Sequence, residues 1–148
     1  MYTGLLHTHS LLRYFVLIML LAVIVTSFIG WRGNKPFTRL DNKLGLYLVI
    51  FTHLQFVAGL ILYFVSDVVQ FNSDTMKNPG IRYWAVEHVT GMVIAIALIT
   101  AARSTAKKMT LDLAKHRRLF IFNLLAIVII IAILAMSGRG IFGMSAVN

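Results

Sequence analysis

Four ionisable side chains, Arg13, His53, Glu87 and His88, lie inside otherwise apolar stretches of this sequence, with His9 and His116 close to the ends of two such stretches. An ionisable group held in hydrocarbon is costly, so it faces another polar group, a cavity or a ligand. His53, flanked by Thr52 and Gln55, gives its stretch a polar middle. An imidazole there loses its water hydrogen bonds at a cost of a few kcal/mol and needs a partner. On a helix His88 shares a face with Trp84, Gly91, Met92 and Ala95. The glycine and alanine beside that imidazole leave room for a flat macrocycle. His9 falls one turn before Arg13 on the same face. His7 and His9, two residues apart, point in different directions and do not form a shared metal site.

The chemistry that these residues can do is narrowed by what is missing. There is no cysteine, which excludes disulfides, thiolate metal sites, iron–sulfur clusters and a cysteine nucleophile. Phosphate-loop and HExxH motifs, paired intramembrane carboxylates and a nucleophile beside a base are absent as well. Several histidines on different helices of a small bundle remain, and bundles hold cofactors with inward side chains of facing helices. Haem b with axial imidazoles suits that arrangement, because it needs no thiolate and its macrocycle is apolar.

These side chains must be positioned by long apolar segments. The chain has 148 residues, 59% hydrophobic and only 13% charged, against about a quarter charged in a soluble domain. Four apolar runs, Leu11–Gly30, Leu44–Val65, Trp84–Ala102 and Leu119–Met136, are each long enough to cross a hydrocarbon core about 30 Å thick with some tilt. The first lacks a basic leader and a small-residue cleavage pattern, so it reads as a retained anchor. The expected fold class is all-α, a single transmembrane four-helix bundle. Gly91 with Ala95, Ala97 with Ala101, and Ala58 with Gly59 read as close-packing steps between helices.

Charge orients the expected bundle. The 31–43 segment carries Arg32, Lys35, Arg39 and Lys43, and the 103–118 segment carries Arg103, Lys107, Lys108, Lys115, Arg117 and Arg118, ten of the 14 Lys and Arg. Arg13, Lys77, Arg82 and Arg139 are the rest. The positive-inside rule then puts both basic loops in the cytoplasm and both termini outside, N-out and C-out. Tyr14, Tyr63, Tyr83 and Trp84 at outer ends, with Trp31 and Tyr47 at inner ends, read as interfacial belts. The net charge of +9 is accounted for by these loops and by anionic lipid, not by nucleic acid. Thr110 is the expected N-cap of the last helix, and His116, among Lys115, Arg117 and Arg118, reads as a cytoplasmic surface residue. A second, inner site built on His116 and Asn123 is the other reading.

Depth can be counted from the middle of each run. Arg13 lies roughly 11 Å and Glu87 roughly 9 Å outward of their span centres. Two roles therefore stay open for Arg13: an ion pair with Glu87, or a cation facing an anionic cofactor group such as a propionate. The same count puts His53 about 3 Å inward and His88 about 8 Å outward.

The stretches LLHTHSLLRY, FTHLQFVAGLILYFVS (51–66), RYWAVEHVTGM (82–92) and KHRRLFIF (115–122) resemble those of small bacterial four-helix membrane proteins catalogued as cytochrome b-like. The resemblance runs over nearly the whole chain and departs at Ser137-Gly138-Arg139-Gly140, where that family has a Pro-Trp ending. It implies haem b, with His88, His53 and His9 as iron-ligand candidates and His116 more weakly. It also implies an inner, cytoplasmic membrane location in a bacterium. The expected function is an electron carrier or oxidoreductase subunit rather than a stand-alone enzyme, linking a quinol pool to a redox-protein partner. Two other readings stay open. One is a cofactor-free accessory subunit of a larger membrane complex; the other is a small proton or metal transporter using His53, Glu87 and His88 as a relay.

Overall fold

The computed structural model describes residues 2–137. The segment from Gly138 to Asn148, which holds Arg139, the C-terminus and most of the departure from the family pattern, lies outside the described residues. Four helices account for most of the rest: α1 Tyr2–Arg32, α2 Arg39–Val65, α3 Pro79–Ala106 and α4 Asp112–Met136. All four are long and apolar enough to cross a membrane. They start earlier than the apolar runs, because the polar flanks continue the helix into the interface. His7 and His9 thus lie within α1, one to two turns inside its start.

Hydrogen bonds and close contacts at the helix ends define an up-down-up-down bundle. At one end the Tyr2 and Ser66 hydroxyls pair at 3.2 Å, and the Tyr83 hydroxyl donates to the Ile133 carbonyl at 2.9 Å. At the other, Arg103 donates to the Asn42 carbonyl at 2.8 Å and His116 to that of Pro36 at 3.3 Å. That second end carries both basic loops and is called the basic end below. Around the bundle the order is α2, α1, α4, α3, and the α2–α3 seam is much the most open.

The core runs through Val16, Leu20 and Val23 of α1, Leu48 of α2, Ala95, Ile99 and Ala102 of α3, and Leu119, Ala126 and Ile130 of α4. Each helix also presents large apolar side chains outward, such as Phe15, Ile18, Leu21 and Val25 on α1. An apolar surface on every side belongs to a helix whose surroundings are as apolar as its core. Gly91 serves packing, since a Cβ there would lie 2.4 Å from the Ile133 side chain. The space beside His88 on that face is thus filled by α4 and does not receive a macrocycle.

Helix ends follow local chemistry. Gly33 and Pro36 stop α1, Asn34 turns the chain with φ 48°, and Thr38 opens α2 through a capping box with Asp41. Asn78 accepts from the Gly80 and Ile81 amides to start α3, with Pro79 in its first turn. The N-cap of α4 is Leu111 rather than Thr110, and no side chain caps it. One turn of α3, Tyr83–Glu87, is π-helical.

Candidate functional site

The π-helical turn decides what His88 and Glu87 touch. In such a turn the i→i+5 hydrogen bond places residues five apart over one another, which joins Arg82 to Glu87 and Tyr83 to His88. Arg82 Nε meets Glu87 Oε1 at 2.6 Å. The Arg13–Glu87 ion pair expected from depth is therefore not made: Glu87 is taken within its own helix. Tyr83, expected in an interfacial belt, is only 4% exposed. Its hydroxyl hydrogen goes to the Ile133 carbonyl, so its oxygen accepts from the His88 Nδ1–H at 3.4 Å. The lone pair of the His88 ring then sits on Nε2.

Arg13 is buried in the bundle at 9% exposure. One of its terminal nitrogens donates to the Tyr14 hydroxyl at 3.3 Å, its guanidinium lies 5.0 Å from the Tyr14 ring centroid, and its Nε has no partner. His9, one turn earlier, packs over Gly59 of α2, where a Cβ would stand 3.0 Å from its Cε1. The His9 ring approaches the Gln55 carbonyl, and its Nδ1 is buried with no hydrogen-bond partner. His9, Arg13 and His88 lie within electrostatic range of one another. Three of the four residues marked by the sequence as cofactor ligands or contacts thus converge, from α1 and α3, on one place.

His53 is the exception. It faces outward, exposed, and its Nε2 pairs with Thr100 Oγ1 at 3.0 Å. Thr100 stands twelve residues from His88, roughly 18 Å along α3. No single porphyrin spans that offset, so the His53–His88 ligand pair fails, and a relay of His53, Glu87 and His88 is not assembled. The reason is helical phase: one residue turns a side chain by about 100°, so Thr52 and Gln55 face inward while His53 faces the surroundings.

His116 is 1% exposed rather than at the surface. The early start of α4 carries it into the bundle, where its ring lies against Gly30, 2.4 Å from where a Cβ would be. Pro36 takes its Nε2–H, which leaves Nδ1 buried without a partner. Asn123 is buried too, with Nδ2 bonded to the Leu119 carbonyl. These two lie seven residues, roughly 10 Å, apart along α4.

A cleft runs along the open α2–α3 seam. Two cavities of about 120 and about 60 Å³ share Gly59, Tyr63, His88 and Val89 as walls. Arg13, Thr52 and Gln55 line the larger, Tyr2, His9 and Trp84 the smaller, and apolar side chains such as Met92 and Ile96 supply most of the remainder. Thr52 Oγ1 and Gln55 Oε1 join His9 Nδ1 and Arg13 Nε as buried polar atoms without partners. Buried polar groups are nearly always paired, so this concentration marks a place for a polar ligand group. Among the described residues no three His, Asp or Glu side chains are grouped to hold a bare metal ion.

For haem b the donor set fits: two imidazoles with unengaged ring nitrogens on facing helices, a buried arginine beside them, and apolar walls. The enclosed volume alone does not hold a macrocycle, since a cavity of about 150 Å³ takes benzene; a macrocycle would have to extend onto the open side of the seam. No family model matches this sequence, and no curated protein or solved structure proves similar to it. Fold and site together define a small four-helix membrane protein with a two-histidine, one-arginine cleft.

Proposed function

We propose that this protein is a haem b-binding electron carrier of a bacterial inner membrane, oriented N-out and C-out, that links a quinol pool to a redox partner. The observation that carries the reading is the convergence of His9 and His88 from α1 and α3, beside buried Arg13, on a cleft open along the α2–α3 seam. Bound haem b supplies a one-electron iron couple. His9 and His88 are the residues that would hold it, with Arg13 placed to neutralise a propionate. Tyr83 fixes the His88 tautomer by accepting a hydrogen bond from Nδ1–H, the outer contact that ligating histidines characteristically have. Met92, Val93 and Ile96 keep water from the site, and the seam gives a lipid-soluble quinol lateral access.

The test is an absorption spectrum of protein purified after expression with ample haem, oxidised and then dithionite-reduced. The expected result is a Soret band with a low-spin reduced spectrum; its absence overturns the reading. Close packing of each imidazole, His9 on Gly59 and His88 on Tyr83, favours a second reading. In that reading the chain is a cofactor-free accessory subunit whose polar residues fix helix register. A colourless protein that copurifies with membrane redox subunits supports it.

A further inference from the structure

At the basic end, a second and larger cavity lies between the start of α2, the end of α3 and the start of α4. Its volume is about 430 Å³, within the range of small-molecule sites. Arg39, Arg103, Lys107 and Lys115 line it, and no carboxylate does. Among the described residues the single ion pair joins Arg82 to Glu87 at the opposite end, so none of these four cations is ion-paired, although Asp41 and Asp112 stand in the first turns of α2 and α4. Asp41, the nearest acidic neighbour in sequence, is engaged with the Thr38 amide and hydroxyl.

Cations that only satisfy the positive-inside rule point outward and apart. Here two are drawn inward. Arg103 Nη1 is held by the Asn42 carbonyl and passes so close to Gly45 that a Cβ there would lie 3.2 Å away. Lys115 Nζ lies over the Phe37 ring at 5.3 Å. Phe37 and Leu119 supply an apolar wall to the same cavity. A pocket that is cationic at its rim and apolar on one wall, at the basic end of the bundle, suits a phosphate group attached to a lipid.

We infer that this pocket binds a phosphate-bearing ligand, either the headgroup of an anionic phospholipid or free phosphate, with Arg39, Arg103, Lys107 and Lys115 as its counter-charges. A ligand that binds the folded state raises the unfolding temperature. The full chain, purified in a neutral detergent, is therefore melted with added phosphatidylcholine, phosphatidylglycerol, or inorganic phosphate at constant ionic strength. Phosphatidylglycerol raises the midpoint and phosphatidylcholine does not. A rise reproduced by inorganic phosphate identifies a free-anion site; a rise with the lipid alone identifies a headgroup site. Lys107→Gln, an exposed position whose loss leaves folding intact, removes much of the rise, and Arg39→Gln with Lys107→Gln removes most of it. Lys43→Gln, at the same end but off the pocket, keeps it in full. Equal responses to both lipids with none to phosphate, or a full rise in the double variant, overturn the inference.

Discussion

The His88 ring lines the cleft, and its Nδ1 meets the Tyr83 hydroxyl, which leaves the ring lone pair on Nε2. His9 has the converse problem, a buried Nδ1 that no protein group satisfies. If the pair ligates iron, His88→Ala and His9→Ala each abolish the low-spin spectrum, whereas His53→Ala, outward and paired with Thr100, leaves it unchanged. Spectra of the three variants check this, and loss in His53→Ala alone moves the ligand role to the outer face of α2. Gly30 gives a prediction that needs no cofactor. Its absent side chain is the space that the rigid, Pro36-bound His116 ring occupies, so Gly30→Ala forces overpacking at a cost of about 1–3 kcal/mol. Unfolding in detergent measures the loss, and His116→Ala in the same chain recovers part of it; an unchanged stability would show that α1 and α4 can separate freely there.

Local chemistry at helix starts sets how each element enters the bundle. Thr38 and Asp41 bond reciprocally at the start of α2, so Thr38→Ala exposes an amide and costs about 1 kcal/mol. The same detergent unfolding reads it, and Thr38→Asn, a competent cap, keeps most of the stability. This capping pair could be read directly from the spacing Thr-x-x-Asp, as could the Asn78-Pro79 start of α3. The π-helical turn at 83–87 could not: its residues suit an ordinary α-helix, and only the pairing of i with i+5 reveals it. That turn is why Glu87 finds Arg82 instead of Arg13, and why counting depth along ideal helices misassigned the ion pair.

Across the whole molecule, ten basic residues gather at one end and the apolar faces of all four helices look outward. If charge sets orientation, the 33–38 and 107–111 connections are cytoplasmic and the 66–78 connection is not. Reporters active only in the cytoplasm, inserted into each connection, are expected to give signal in the first two and none in the third. The opposite pattern would reverse the bundle and put the cationic pocket outside. In that event the lipid it meets changes, though the pocket's charge does not.

The four apolar runs, the basic connections, and the short list of polar residues that need partners follow from the sequence itself. Each depends on composition within a single segment, and hydrocarbon tolerates only a helix there. Which polar residues meet was decided by rotation and by neighbours. His53 is one position from the inward Thr52 and is carried to the outer face by about 100° of helical turn. Gly91, with small-residue spacing beside His88, is filled by Ile133, while Gly59, on another helix, receives His9. His116 has charged neighbours on both sides in sequence and is nevertheless the most enclosed of the histidines described, because α4 begins early enough to turn it against Gly30. Sequence fixes a side chain's place along its own helix; the side chain it faces depends on the phase and offset of a second helix, and these arise only when the two pack.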